Sequence, residues 1–177
     1  VGARAFEIVR LVNESAGTSF GTTGEIVRSS QFGPADVLSI LERVRGSFTT
    51  ASLVKRFKQF YAESFEIIPA AVNALASGQP SAFSLAVNRS QELAEECLEN
   101  QVPATIALVQ LAKEEGAVTA SAFGAGFGGS VWAMVADNDA KDFLSRWASR
   151  YSILFPVPAR SSRFFIERPG PGAFRLS

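Results

Sequence analysis

Ser121-Ala122-Phe123-Gly124-Ala125-Gly126-Phe127-Gly128-Gly129-Ser130 is the stretch on which the reading of this chain turns. Four of the six residues from Gly124 to Gly129 are glycine. Ala117-Val118-Thr119-Ala120 precedes it and Val131-Trp132-Ala133-Met134-Val135 comes after it. Both flanks read as strands, the second strongly, because β-branched and aromatic residues dominate it. The unit is strand, glycine loop, strand. Glycine reaches backbone angles closed to other residues and lets a phosphate or another backbone approach closely. Successive backbone N–H groups in such a loop can hold an anion. A turn that only packs tightly accounts for the glycines equally well.

Two familiar patterns fit the letters and fail on context. Gly124, Gly126 and Gly129 satisfy G-x-G-x-x-G, but a dinucleotide fold needs a helix directly after the loop, and here a strand comes next. With Val131 the run also matches the glycine-rich loop of protein kinases. That pattern requires a lysine in the next strand, a His-Arg-Asp loop and an Asp-Phe-Gly, none of which occurs.

A length of 177 residues with 47% hydrophobic content suits one compact unit with a full core. Charged residues are 19%, below the roughly 25% of typical soluble domains, and there are 15 phenylalanines. That excess fits either an aromatic core or a face buried against another domain. Lys+Arg and Asp+Glu balance at 17 each, so no basic field points to nucleic acid. No apolar run approaches the ~18 residues of a membrane span, and the first residues do not read as a signal peptide. Cys97 is the lone cysteine, which excludes an intrachain disulfide and fits a cytoplasmic location. The chain has no histidine, so Ser-His-Asp, Cys-His and histidine-metal chemistry are excluded. Val1 opens directly in a helical pattern, as expected of a piece of something longer.

Along the chain, helices are predicted over 1–13, from Pro34 to about Gly46, over 51–76, from Ser81 as cap to about Leu98, from Pro103 to Glu115, and from about 137 to Tyr151. The segment 14–24 reads as a loop. In 51–76, Leu53, Phe57, Phe60, Tyr61, Phe65, Ile68, Val72 and Leu75 share one face, expected to be core, and Pro69 is expected to kink or break the helix near Ile68. Pro156 and Pro158 mark a loop, Arg163–Glu167 reads as a strand, and Ala173–Leu176 as a short final strand.

Gly116-Ala117, a short strand, then Gly124-Ala125-Gly126-Phe127-Gly128-Gly129 and an apolar strand together resemble the third motif of the GHMP small-molecule kinases, in particular the galactokinases. Phe83 with Ser90 and Glu92, and the run Asn100 to Leu108, resemble the helix pair ahead of that motif. Phe164-Phe165 and Pro169-Gly170-Pro171-Gly172-Ala173 resemble its last strand and turn. The resemblance spans about Lys55 to Leu176. It implies an α+β, ferredoxin-like C-terminal domain over 51–177, helices packed on a small antiparallel sheet, with 1–50 a helical lead-in. It implies the C-terminal half of an ATP-dependent sugar kinase that phosphorylates a sugar hydroxyl at C1. ATP and Mg²⁺ would be held mainly by a missing N-terminal half, which would also supply the catalytic groups. This chain would contribute no catalytic residue and no metal ligand, and Gly124, Ala125, Gly126, Phe127, Gly128, Gly129 and Ser130 would line the cofactor cleft. Where galactokinases tend to have Arg-Met-Thr, this chain has Ser121-Ala122-Phe123. Where they tend to have Ser-His, it has Ser90-Gln91. A non-catalytic sugar or nucleotide sensor and a kinase for another small alcohol are the competing implications.

Overall fold

The computed structural model describes residues 2–170. Helix α1 (Gly2–Ala16) runs to α2 (Thr23–Arg28), α3 (Pro34–Arg43) and α4 (Thr50–Ala62). These four helices close one core around Ile8, Val12, Ile26, Val37, Leu41, Leu53 and Phe57. Helix α2 lies at the far end of the segment that reads as a loop, where the sequence predicts no helix. Its start is chemically marked: Thr22 Oγ1 accepts the Glu25 N–H at 3.1 Å, and the Glu25 carboxylate accepts the Gly21 N–H at 2.8 Å. That is the reciprocal pattern of a capped helix start, hidden in a run rich in Ser, Thr and Gly. In α3, Pro34 stands directly after Gly33, and Asp36 accepts the Gly33 N–H at 2.8 Å. Thr49 caps α4 by accepting the Ser52 N–H.

The regular α-helix is interrupted just before Ile68, as expected, but by a π turn and not by a break in the chain of helical residues. Residues Glu63–Ile67 form a π turn, and α5 (Ile68–Ala76) continues from it. The wide turn carries the Ile68 N–H back to the Glu63 carbonyl and leaves Pro69 in the first turn of α5, where its missing donor costs little. The extra residue shifts the helical phase. Ile67, Ala71 and Ala74 now face inward, whereas Ile68, Val72 and Leu75, expected in the core, are exposed. In α1, Ile8 is buried and Phe6 is exposed.

Helix α6 (Pro80–Leu93) begins at Pro80 with Gln79 as its cap residue, so Ser81 does not cap it. It ends in a second π turn, Ala94–Leu98. Helix α7 (Pro103–Glu114) starts at its proline as expected, and Gly116, at φ +99°, lies just past its end. Strands β1 (Thr119–Phe123) and β2 (Ser130–Met134) pair antiparallel, with Thr119 opposite Met134 and Phe123 opposite Ser130. Helix α8 (Ala140–Leu154) packs with α7 and β1 around Val109, Ala112, Ala120, Phe143, Trp147 and Tyr151. The expected Pro156 loop contains a short helix, α9 (Pro156–Ala159).

Residues Arg163–Glu167 are not a strand. Among the described residues no strand pairs with them. Phe164 instead sets its ring edge-on to Trp147 at 5.2 Å, fastening the segment to α8 through a side chain. The final strand expected at Ala173–Leu176 lies outside the described residues. The architecture is that of helices on a small two-stranded antiparallel sheet. Among the described residues no helix is long and apolar enough to cross a membrane.

Glu7 ties the first core together. Its side chain is almost buried, takes a two-pronged bond from Arg10, and accepts the Ser47 N–H at 2.6 Å. Arg10, then the Ser47 amide, hold the carboxyl down from its ordinary 4.5 to about 2. A lowered carboxyl pKa stabilises the fold at pH values above the unfolded one, and the gain is lost as pH falls through the folded one. The stability of the chain should therefore drop as pH falls from about 4.5 towards 2, and Glu7→Gln should flatten that slope. At pH 7 Glu7→Gln should cost about 1–2 kcal/mol, the loss of charge-assisted bonds. Denaturant midpoints across that pH range measure both.

Candidate functional site

The glycine loop is the six-residue tip of the β1–β2 hairpin, Gly124 to Gly129. Strand β1 extends three residues further into the glycine stretch than its composition suggests. Ser130, expected within the loop, is the first residue of β2. Five of the six loop residues have positive φ: Gly124 at 95°, Gly126 at 83°, Phe127 at 60°, Gly128 at 111° and Gly129 at 104°. Such a path is open to glycine and closed to most side chains. The structure thus gives the glycines a conformational task, as their spacing suggests.

The loop is clamped from outside. Asn100 lies just past the second π turn and is 5% exposed. Its carbonyl accepts the Phe127 N–H, and its Nδ2 donates to the Ala125 carbonyl at 3.2 Å. A Cβ on Gly126 would overlap both the backbone carbonyl and the side-chain amide of Asn100. Gly126 is therefore fixed twice, by its angle and by its neighbour. Among the described residues, the Phe127 N–H is the only loop amide from Gly124 to Gly129 that donates a hydrogen bond. The other amides stay available to an anion. A phosphate group fits such a set of uncommitted backbone donors. The side chain of Phe127 is 68% exposed and that of Phe123 58% exposed, which puts apolar surface on both sides of the loop.

Strand β1 is positioned by α6. Ser84 Oγ donates to the Val118 carbonyl at 2.7 Å. Gln91, 3% exposed, uses one oxygen to accept the Ala122 N–H at 2.9 Å and the Ser121 hydroxyl at 3.0 Å. Its amide nitrogen donates to Glu95 at 2.8 Å. Gln91 is thus satisfied on both ends in a buried place, and it fixes the last residues before the loop. Beside it lies a cleft of about 250 Å³ between the first π turn, α6 and the sheet. Glu63 and Ser90 meet on one side, with the Ser90 hydroxyl donating to the Glu63 carboxylate at 2.9 Å. Ile67, Val87 and Trp132 give the apolar wall.

Sequence reasoning does not pick out Asn100 or Gln91 as site residues. Gln91 carries a signal, since a polar residue sits in the apolar phase between Val87 and Ala94. Asn100 carries none, because half of its work is done by a backbone carbonyl. Glu115 and Asp137, the acids nearest the glycine stretch in sequence, stand away from the loop. Arg150, then Arg146, hold the Glu115 carboxyl below the usual carboxylate range, and Asp137 pairs with Arg168 at 2.8 Å. Among the described residues no three His, Cys, Asp or Glu side chains converge as a metal site.

Residues 71–153, which hold α6, α7, the hairpin and most of α8, match the family described as GHMP kinases C terminal. The fold also matches the crystal structure of Lactococcus lactis galactokinase complexed with galactose. The TM-score is 0.66 at 20% sequence identity, over 88% of this chain and 38% of that one. No curated protein matches the sequence. Over residues 71–153 the chain is similar to the C-terminal domain of GHMP kinases. Its fold is galactokinase-like, and it spans 38% of the length of the galactokinase it matches.

Gly126→Val should destabilise the protein by about 2 kcal/mol or more, combining a β-branched residue at positive φ with the overlap at Asn100. Lys58→Ala, on an exposed helix face, should stay within about 0.5 kcal/mol. Thermal or denaturant unfolding of the two variants side by side checks the contrast.

Proposed function

We propose that this chain is the C-terminal half of an ATP-dependent, galactokinase-like sugar kinase, and that the whole protein phosphorylates a sugar hydroxyl at C1. Residues 51–177 form the kinase C-terminal domain in this reading, and 1–50 lead in from a preceding half. The observation that carries the reading is the hairpin tip: a run of left-handed residues from Gly126 to Gly129, clamped by Asn100, with its remaining amides uncommitted. A loop held in that shape offers donors to phosphate oxygens without rearranging, which is how such kinases stabilise a transferring phosphoryl group.

In this reading the backbone of Gly124–Gly129 and Ser130 faces the phosphate end of ATP, and Phe123 and Phe127 abut the other half of the protein. ATP supplies the phosphoryl group when bound. Mg²⁺ would be held mainly by the nucleotide phosphates and by the preceding half. The groups that orient or deprotonate the sugar hydroxyl would likewise belong to the preceding half. The chain's own contribution is to position the loop, bury β1 under α6, and exclude water from one wall of the cleft. Nucleic acid and membrane are not partners in this reading. The lone, unpaired Cys97 supports a cytoplasmic location.

The 177-residue chain alone should show no sugar-dependent release of ADP from Mg-ATP. A protein that joins it to its preceding half should turn over galactose or a related sugar, and Gly126→Val should lower that turnover at least ~100-fold, as loss of positioned donors does. Turnover by the chain alone would mean that the catalytic groups lie within it, against this reading. Nucleotide or sugar binding by the longer protein without turnover would favour a sensor. Activity confined to a non-sugar alcohol would favour another branch of the GHMP kinases.

A further inference from the structure

Arg4 is 9% exposed, and no carboxylate among the described residues pairs with it. Its guanidinium donates to the Leu98 carbonyl at 2.6 Å and to Ser52 Oγ at 3.1 Å, with the Cys97 carbonyl a longer contact at 3.5 Å. Buried arginines are ordinarily held by acids. This one is held by the last carbonyls of the second π turn, the negative end of a helix. Lys55 adds to the same corner from α4, pairing with Glu99 at 2.9 Å. Glu99 and Lys55 draw each other further into their charged forms.

Glu99, the next residue after the carbonyl that Arg4 holds, has φ +54°. Among the described residues the only other non-glycine with positive φ is Phe127. Each such residue is strained and persists only where its surroundings enforce it. The two are joined through Asn100, whose carbonyl takes the Phe127 N–H. A strained corner and a strained loop thus sit on either side of one hydrogen bond. Arg4 grips the carbonyl immediately before the corner. If Leu98 is released, Glu99 relaxes to a right-handed conformation, and the Asn100 carbonyl swings off the loop.

We infer that Arg4 is a positioning residue for the glycine loop, acting from the first helix through Leu98, Glu99 and Asn100. It holds the loop in the shape that a nucleotide phosphate requires. Only the link to phosphate rests on the proposed kinase function, since the mechanical coupling stands without it. Helix α1 thereby has a role at the site beyond that of a lead-in.

Hydrogen–deuterium exchange of the intact protein tests it. Arg4→Met keeps the aliphatic stem and removes the grip. It should raise exchange at the Phe127 amide, the one loop amide from Gly124 to Gly129 that is hydrogen-bonded among the described residues, about tenfold, the loss expected when a charge-assisted bond worth ~1.4 kcal/mol is removed, while α8 keeps its protection. A merely structural arginine would instead loosen both regions together. Arg4→Lys, which can still reach one carbonyl, should fall between. Glu99→Gly added to Arg4→Met should recover part of the protection, because glycine enters the left-handed region without the penalty a side chain has there. Unchanged loop exchange in Arg4→Met, or a rise only in step with α8, would overturn the inference. If Arg4→Met does not fold, Arg4→Lys against the unaltered protein carries the same comparison. Mg-ATP affinity, measured on the same proteins, separates the two claims. Faster loop exchange with unaltered affinity would leave the coupling standing and remove the phosphate-loop reading. Weaker affinity with unaltered loop exchange would remove the coupling.

Discussion

One backbone hydrogen bond, from the Phe127 N–H to the Asn100 carbonyl, joins the helical body to the tip of the hairpin. Several costs are accepted around it. Two non-glycine residues adopt left-handed angles, a buried arginine goes without an acid, and a glycine lies where no side chain fits. Such strain persists only when many neighbours enforce it, and the neighbours can be named: Arg4 on α1, Lys55 on α4, Gln91 on α6. Three helices that are distant in sequence thus contact the segments on either side of that hydrogen bond: the second π turn and Glu99, and the end of β1.

The helices serve that loop in different ways. Helix α6 lies along β1 and satisfies it with Ser84 and Gln91, so the strand is held at both ends before the glycines begin. The second π turn delivers Asn100, and the first brings Glu63 to Ser90 beside the cleft. The first π turn adds a residue without ending its helix and so re-aims everything after it, whereas the second closes its helix at the left-handed Glu99. The remaining core, around Trp147, anchors the hairpin from the other face. Trp147 Nε1 donates to the Leu108 carbonyl at 2.9 Å, joining α8 to α7.

Composition and spacing suffice to read the strand–loop–strand unit, because β-branched runs and a glycine cluster are local signals. The helix starts at Pro34 and Pro103 are legible for the same reason, since proline announces a first turn by its missing donor. Effects of tertiary origin escape such a reading. The π turn at Glu63–Ile67 leaves no mark in the letters, so Ile68, Val72 and Leu75 read as core although they face out. Arg163–Glu167 has strand composition, yet among the described residues no strand pairs with it. The expectation that the glycines at 124–129 carry unusual backbone angles is sound because it rests on sterics. Asn100, whose contribution comes half from a carbonyl that every residue possesses, is invisible in the letters.

The two tryptophans differ in surroundings and so form a built-in pair of optical probes. Trp147 is buried, with its indole N–H bonded to a carbonyl, against Phe143 and Phe164. Trp132 is half-buried on the cleft wall, tilted against Phe83, one strand position from Val131 and close to the loop. Light emitted from the first reports on the integrity of the α7–α8 core. Light from the second reports on the space where α5, α6 and the hairpin meet. A water-soluble quencher reaches Trp132 more readily than Trp147, so filling of the cleft and melting of the core leave distinguishable traces in one fluorescence record.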